Sequence, residues 1–172
     1  MRKVEVVPYN HQWPQIFEEE AGKIKTIMNE IVVGIEHMGS TSIPGMSAKP
    51  VIDILVEVNS IEKVDLYNVE MIELGYDPKG ENGIPNRRYF SKGGDNRTHH
   101  VHIYQTGNPE IARHLQFRDY LTAHPEDAIL YSELKQSLAK QFPADIDQYI
   151  LGKDALVKEL DEKAKLWRLR MG

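Results

Sequence analysis

Residues 37–58 read HMGSTSIPGMSAKPVIDILVEV and join a Gly-Ser turn, a loop of small residues and an apolar strand that contains one central carboxylate, Asp53. Backbone N–H groups at a Gly-Ser turn that opens a helix can bind an anion. A carboxylate on a neighbouring strand can hold a divalent cation over the same spot. This stretch therefore predicts a combined site for a phosphate group and a metal ion.

The composition limits the class of protein. A chain of 172 residues and 19.8 kDa without cysteine excludes thiolate zinc sites and cysteine nucleophiles. The formal net charge of −5 comes without a basic stripe, which argues against strong binding to nucleic acid. No apolar segment has the length of a signal peptide or a membrane span. We expect a cytoplasmic protein that does not enter a membrane.

The hydrophobic pattern predicts an α+β fold. A helix from Asn10 to about residue 30 precedes a strand over 31–38, and a second strand over 51–58 alternates apolar residues with Asp53, Leu55 and Glu57. Ser60 is expected to cap a helix that ends at Gly75. Residues 3–9 suit an edge strand or an extended arm that stops at a proline.

After the helix that ends at Gly75, the hydrophobic pattern changes from helical spacing to the alternation of strands. Segments 88–91 and 98–105 predict two antiparallel strands joined by a glycine-rich turn, and residues 77–86 predict a loop. Three helices follow over 109–123, 125–142 and 145–170, separated by prolines. We expect an α+β core over residues 1–108 and a helical segment over 109–172 packed on it, together forming one structural domain.

Two features of the opening stretch have a structural alternative. Gly39, Ser40 and Thr41 can hold a phosphate, although a serine at a strand-to-helix turn is also a common helix cap. Asp53 lies in an apolar strand, so it needs a metal, Lys49 or an arginine as partner unless it is on a solvent-exposed face.

Histidines and arginines offer further candidates. His100 and His102 project from the same face of one strand, as half of a metal site, as a proton-transfer pair, or as histidines hydrogen-bonded within the sheet. Adjacent arginines point to opposite faces, so one of Arg87 and Arg88 can share that face and bind an anion, unless both have an ordinary surface role. We assign this binding role to Arg88.

The helical segment offers weaker candidates. Arg118 and Asp119 predict a structural ion pair. Tyr149 and Lys153, at i and i+4, are expected to be neighbours on a helix surface.

The motifs GSTSIPG and KPVIDILV, together with VPYNHQWPQIFEEE, THHVHIY and HLQFRDYLTAHP, resemble the GrpB family over nearly the whole chain. That family is placed among the polymerase-beta-type nucleotidyltransferases. The resemblance implies a mixed sheet flanked by helices, a Gly-Ser turn that binds a nucleoside triphosphate, and strand carboxylates that bind Mg²⁺. The chain departs from the superfamily pattern, because Leu55 occupies the second acidic position and the strand over 98–105 has no acidic residue.

The leading hypothesis is a metal-dependent nucleotidyltransferase that acts on an unknown small acceptor. Phosphates would lie at Gly39, Ser40 and Thr41, with Lys49 and Arg88 stabilising charge. Asp53 would be the metal ligand, with His102 and His100 as substitute ligands or base. The ion would be Mg²⁺ or Mn²⁺, with Zn²⁺ as a further option. Alternatives are a catalytically silent nucleotide- or metal-binding module and, third, a metal-dependent hydrolase. The oligomeric state is left open.

Overall fold

The computed structural model describes residues 2–171 as a five-stranded sheet with five α-helices. The strands are β1 (Val32–Met38), β2 (Ile52–Val58), β3 (Tyr76–Pro78), β4 (Arg87–Lys92) and β5 (His99–Gln105). The helices are α1 (Trp13–Ile27), α2 (Asn68–Glu73), α3 (Pro109–Ala123), α4 (Pro125–Gln141) and α5 (Ile146–Met171). The predicted α+β class and the three helices that follow the sheet are confirmed.

The sheet is mixed, with strand order β1-β2-β5-β4-β3. The central pair, β2 and β5, is parallel, and the other pairs are antiparallel, including the predicted pairing of β4 with β5. The parallel register sets Asp53 beside His100 and Leu55 beside His102. Because side chains alternate along each strand, these residues share one face of the sheet, which we call the near face.

The opposite, far face contains the main hydrophobic core. Ile54 and Val56 from β2 and Val101 from β5 are fully buried there. They pack in one cluster with Ile24 and Met28 at the C-terminal end of α1. The alternation predicted for β2 is therefore correct, and burial of the apolar face fixes the strand register.

Residues 3–9 form an extended arm, one of the two predicted alternatives, with an isolated bridge between Val7 and Ala48. Two other segments differ from the sequence predictions. The predicted helix after Ser60 is a 3-10 turn over Glu62–Tyr67 followed by the short α2, because only a few of its apolar side chains reach the core. The predicted loop over 77–86 begins inside β3, which pairs with β4.

The C-terminal helices cover the loop that follows the Gly-Ser turn. Ile43 and Met46 from that loop are buried against Tyr131 of α4 and Leu160 of α5. This packing brings α4 and α5 over the near face beside Ser40. Within residues 2–171, no helix combines the length and apolar character required to cross a bilayer.

Candidate functional site

The Gly-Ser turn and the strand carboxylate touch each other. Gly39 has a φ of +73°, a left-handed conformation that favours glycine. A Cβ atom at this position would lie 2.6 Å from Oδ2 of Asp53. Both the backbone angle and the close approach therefore require glycine. Ser40 follows directly and begins a short 3-10 turn over Ser40–Ser42.

Asp53 lies between the two predicted histidines. Its Oδ1 atom is 3.2 Å from Nε2 of His102 and 3.5 Å from Nδ1 of His100. Burial raises the pKa of Asp53, but the hydrogen bonds from His100 and His102 outweigh burial and hold the pKa well below its usual range. Burial also lowers the pKa of His100, so this imidazole favours the neutral form despite its acidic partner.

The hydrogen-bond partners assign the proton of His100. Its Nε2 atom lies 3.3 Å from Nη1 of Arg97, and a guanidinium donates hydrogen bonds but accepts none. Nε2 therefore accepts, and Nδ1–H donates to Asp53. His102 turns Nε2 toward Asp53, and its buried Nδ1 has no partner among the described residues. Because its proton is held on Nδ1, which faces Asp53, His100 is suited to orient the carboxylate of Asp53.

One ligand atom from each of Asp53, His100 and His102 lies within 4.8 Å of the others. This donor set fits a divalent ion. Two imidazoles and one carboxylate suit Mn²⁺ or Zn²⁺ better than Mg²⁺, which prefers oxygen ligands. The contact with Arg97 keeps the proton of His100 on Nδ1, whereas Nδ1 of His102, without a partner in residues 2–171, can take the proton and leave Nε2 free to bind an ion, so Asp53 and His102 form the better ligand pair. The three-ligand site that a metal-dependent hydrolase would use is disfavoured for the same reason.

Three lysines surround a small cavity beside this pair. The cavity has a volume of about 100 Å³ and is lined by Ser40, Thr41, Ala48, Lys49, Val51, Asp53, His100, Lys135, Tyr149 and Lys153. Lys135 on α4 is only 1% exposed and donates from Nζ to Oγ of Ser40 over 2.7 Å. The ammonium groups of Lys49 and Lys153 lie 5.4 Å and 5.3 Å from the centre of the Tyr149 ring.

The lysines destabilise one another's charge. Burial, followed by the charges of Lys153 and Lys49, lowers the pKa of Lys135 to about 6. Burial and the charge of Lys153 lower the pKa of Lys49 to about 8. Among the described residues that line the cavity, Asp53 is the one acidic side chain, and it already accepts from two histidines. An anion in this cavity would relieve the repulsion.

A larger cavity of about 320 Å³ adjoins the first one. Both cavities include Ser40, Asp53 and Lys153 in their walls. The larger one is also lined by apolar side chains of the C-terminal helices, among them Phe117 and Ile150. Its mixed lining and size suit an organic group that is joined to an anion in the smaller cavity.

Most of the predicted site residues come together in this cleft. The walls of the two cavities contain Gly39, Ser40, Thr41, Lys49, Asp53 and His100, and His102 contacts Asp53. Thr41 is buried, and its hydroxyl lies 2.9 Å from Nε2 of His37. Burial, only partly offset by the charge of Asp53, lowers the pKa of His37 to about 4.

The placement of Arg88 in the site was wrong. Arg88 pairs with Ile103 in the β4–β5 register, so its side chain points to the far face, where it forms an ion pair of 2.8 Å with Asp65. Arg87 shares the near face instead. Its guanidinium donates to the carbonyl oxygens of Glu81 and Asn82, and it is therefore held by the loop before β4.

Sequence reasoning missed Lys135 and misjudged Tyr149 and Lys153, which line the cavity rather than lie on a helix surface. One sequence pattern could have indicated that Lys135 belongs to the site. Tyr131 and Lys135 on α4 repeat the i, i+4 spacing of Tyr149 and Lys153 on α5. The expected pairing of Arg118 with Asp119 is present at 2.9 Å.

Leu55 occupies a buried, apolar position. It is 2% exposed and packs with Met38 and Tyr104, against Ile111 and Leu115 of α3. The position at which the nucleotidyltransferase pattern calls for a second carboxylate is therefore part of a hydrophobic cluster.

Comparison with known proteins assigns the family. A family model described as GrpB protein matches residues 3–163. The chain belongs to the GrpB family. It is 54% identical to the UPF0157 protein YqkA of Bacillus subtilis (strain 168) over 167 residues, which are 97% of this chain and 49% of that protein. The chain therefore spans about half the length of this relative.

Solved structures agree with this assignment. The crystal structure of the conserved protein GrpB from Enterococcus faecalis superposes with a TM-score of 0.91 at 48% identity, covering 95% of this chain and 99% of that one. The Cid1 poly(U) polymerase superposes with a TM-score of 0.53 at 15% identity, covering 78% of this chain and 44% of that one. This GrpB family member thus has the predicted nucleotidyltransferase-like fold.

Proposed function

We propose that this GrpB family member binds a nucleoside triphosphate and a divalent ion in the cleft and transfers the nucleotidyl group to a small acceptor. The observation that carries the proposal is the contact between the Gly39 turn and Asp53, with the ammonium of Lys135 on the hydroxyl of Ser40. Phosphate-binding and metal-binding groups thus meet at one point. The related fold of Cid1, which is described with MgGTP and with MgATP bound, supports the choice of ligand.

Each residue has a stated part in the proposal. The turn over Gly39–Thr41 and Lys49 hold the phosphates, and Asp53 and His102 hold the ion. When bound, the ion polarises phosphoryl oxygens and neutralises charge that develops on them. His100 keeps the Asp53 carboxylate oriented. The lysines of the small cavity stabilise the negative charge of the leaving pyrophosphate.

The substitution Asp53→Asn tests the metal site. It keeps the size of the side chain and removes its charge, so we expect Mn²⁺-dependent binding of ATP or UTP to weaken by roughly 100-fold, equivalent to about 2.7 kcal/mol. Isothermal titration calorimetry with and without Mn²⁺ measures this change. Glu57→Gln on the same strand face is the matched control. Glu57 accepts a hydrogen bond from the hydroxyl of Thr106 and lines neither cavity of the cleft. Equal metal-dependent affinity in Asp53→Asn and wild type would contradict the proposal.

A second candidate is a nucleotide-binding module that does not turn its ligand over. The burial of Leu55 in an apolar cluster favours it, because two-metal phosphoryl transfer depends on several carboxylates. Incubation with labelled nucleoside triphosphates, Mn²⁺ and a mixture of small metabolites separates the two functions. Sustained pyrophosphate release rules out the silent module, whereas metal-dependent binding without release supports it.

A further inference from the structure

The hydroxyl of Tyr149 is buried without a partner. The residue is 0% exposed, and its hydroxyl oxygen has no hydrogen-bond partner within residues 2–171. A buried polar group in this state lowers the stability of the fold. Tyr149 also lines the small cavity, so the missing partner can be supplied by a ligand there.

The surroundings of Tyr149 define the chemistry of that ligand. The ammonium groups of Lys49 and Lys153 lie over its ring at 5.4 Å and 5.3 Å, and Lys135 and Ser40 line the same cavity. Ammonium groups donate hydrogen bonds and accept none. The cavity therefore contains many donors and an excess of positive charge. Its complement is a compact group with several anionic oxygens.

The size of the cavity narrows the choice further. Its volume of about 100 Å³ exceeds the roughly 30 Å³ of one liquid water several-fold. That volume accepts a phosphate group, whereas a nucleoside needs the adjoining cavity of about 320 Å³. The shared wall at Ser40, Asp53 and Lys153 allows one ligand to extend from one cavity into the other.

We propose that the small cavity binds the terminal phosphate of a polyphosphate chain and that the Tyr149 hydroxyl donates a hydrogen bond to one of its oxygens. This inference deepens the proposed function and rests on it for the nucleoside part. Binding of the phosphate end can be measured without a nucleoside.

The substitution Tyr149→Phe should weaken binding of a polyphosphate without lowering the stability of the free protein. We expect affinity for inorganic tripolyphosphate, measured by calorimetry without divalent metal, to fall about tenfold or more, as for other hydrogen bonds to charged groups. The melting temperature of the free protein should stay the same or rise, since the hydroxyl bonds to no described residue. The ring that contacts Lys49 and Lys153 is retained.

Tyr120→Phe is the matched control. The hydroxyl of Tyr120 donates to Asp127 in a buried pair, and neither residue lines the small cavity. This variant should melt at a lower temperature than wild type and bind tripolyphosphate with unchanged affinity. The two tyrosine variants should therefore show opposite patterns of stability and binding.

Two results would overturn the inference. One is wild-type affinity for tripolyphosphate in Tyr149→Phe, which means that the hydroxyl bonds to water or to nothing. The other is a fall in melting temperature as large as that of Tyr120→Phe, which means that the hydroxyl has a partner in the protein. If tripolyphosphate binds as expected but no nucleotide binds with metal, the proposed function fails and the phosphate site stands.

Discussion

Each face of the sheet has a buried polar cluster. The charges are matched in one cluster, and the other has an excess of positive charge. On the far face, the buried carboxylate of Glu20 accepts from the hydroxyl of Tyr76 and from the ammonium of Lys92, each at 2.9 Å. On the near face, Lys49, Lys135 and Lys153 surround a cavity whose acid, Asp53, is occupied by two histidines. We call these the balanced cluster and the cationic cluster.

The difference separates a structural role from a binding role. A buried charge with matched partners holds elements together, as Glu20 does between α1 and the β3–β4 pair. Buried charges of one sign cost stability unless a ligand compensates them. The balanced cluster is therefore complete in the free protein, whereas the cationic cluster lacks a counter-charge that the proposed anion would supply.

Lys92→Met breaks the balanced cluster and should have the largest effect. It leaves the carboxylate of Glu20 buried with Tyr76 as its remaining close hydrogen-bond donor, so we expect the free energy of unfolding to fall by about 3 kcal/mol. Urea unfolding measures this value. Adding Glu20→Gln to the variant should recover part of the loss, because the buried charge is then gone. A loss below about 1 kcal/mol would show that the pair is not structural.

Lys135→Met changes the cationic cluster in the opposite way. We expect affinity for tripolyphosphate to fall roughly 30-fold, about 2 kcal/mol, from the loss of one charge-assisted hydrogen bond. The free energy of unfolding should be unchanged or higher, because folding no longer has to bury the charge of this lysine or remove its proton. Calorimetry and urea unfolding give the two quantities. Lys140→Met, at an exposed position on the same helix, is the control and should change neither. A loss of stability as large as that of Lys92→Met would contradict the comparison.

The pH dependence of stability offers a finer test of the cationic cluster. The pKa of Lys135 falls from 10.5 to about 6 on folding. Between those values Lys135 binds more protons in the unfolded chain than in the folded one, so the contribution of Lys135 makes stability rise with pH. The slope is at most about 1.4 kcal/mol per pH unit for one proton.

Lys135→Met removes this contribution of Lys135. Urea unfolding from pH 6.5 to 8.5 should therefore show wild type gaining stability relative to the variant. Lys49, Lys153, Ser40 and Tyr131 face the ammonium of Lys135 and are the same in both proteins. Parallel curves for the two proteins would mean that Lys135 is protonated in the folded state throughout this range.

Arg88→Gln should have the smallest effect. Arg88 pairs with Asp65, whose side chain is 52% exposed, so we expect less than about 1 kcal/mol of lost stability. Because Arg88 points to the far face, affinity for tripolyphosphate should not change. Calorimetry checks the second point. A loss of affinity like that of Lys135→Met would place Arg88 in the site after all.

Local patterns predicted much of the fold. The alternation in residues 51–58 identified β2 and the shared face of Asp53 and Leu55, and prolines at or near the helix starts marked the limits of α3, α4 and α5. The segment after Ser60 was misread, because helical spacing there does not match a buried face. Apolar residues such as Leu66, at 75% exposed, contribute no core contact.

The candidate site was only half predictable. Asp53, His100 and His102 lie on the adjacent strands β2 and β5, so strand alternation placed them together, and Gly39 directly follows β1, which pairs with β2. Lys135 comes from a helix that is distant in sequence, and its position depends on the packing of that helix against Ile43 and Met46. Arg88 was misplaced because a shift of one residue along a strand reverses the face of every side chain.

The contact between Gly39 and Asp53 has a consequence for how this site can change through evolution. The Cβ atom of any side chain at position 39 would lie 2.6 Å from Oδ2 of Asp53 and collide with it, and the side chain would also strain the turn. A single substitution there would damage anion binding and cation binding together. The two half-sites are therefore inherited as one unit, and a descendant of this protein cannot lose the turn and keep the geometry of the carboxylate.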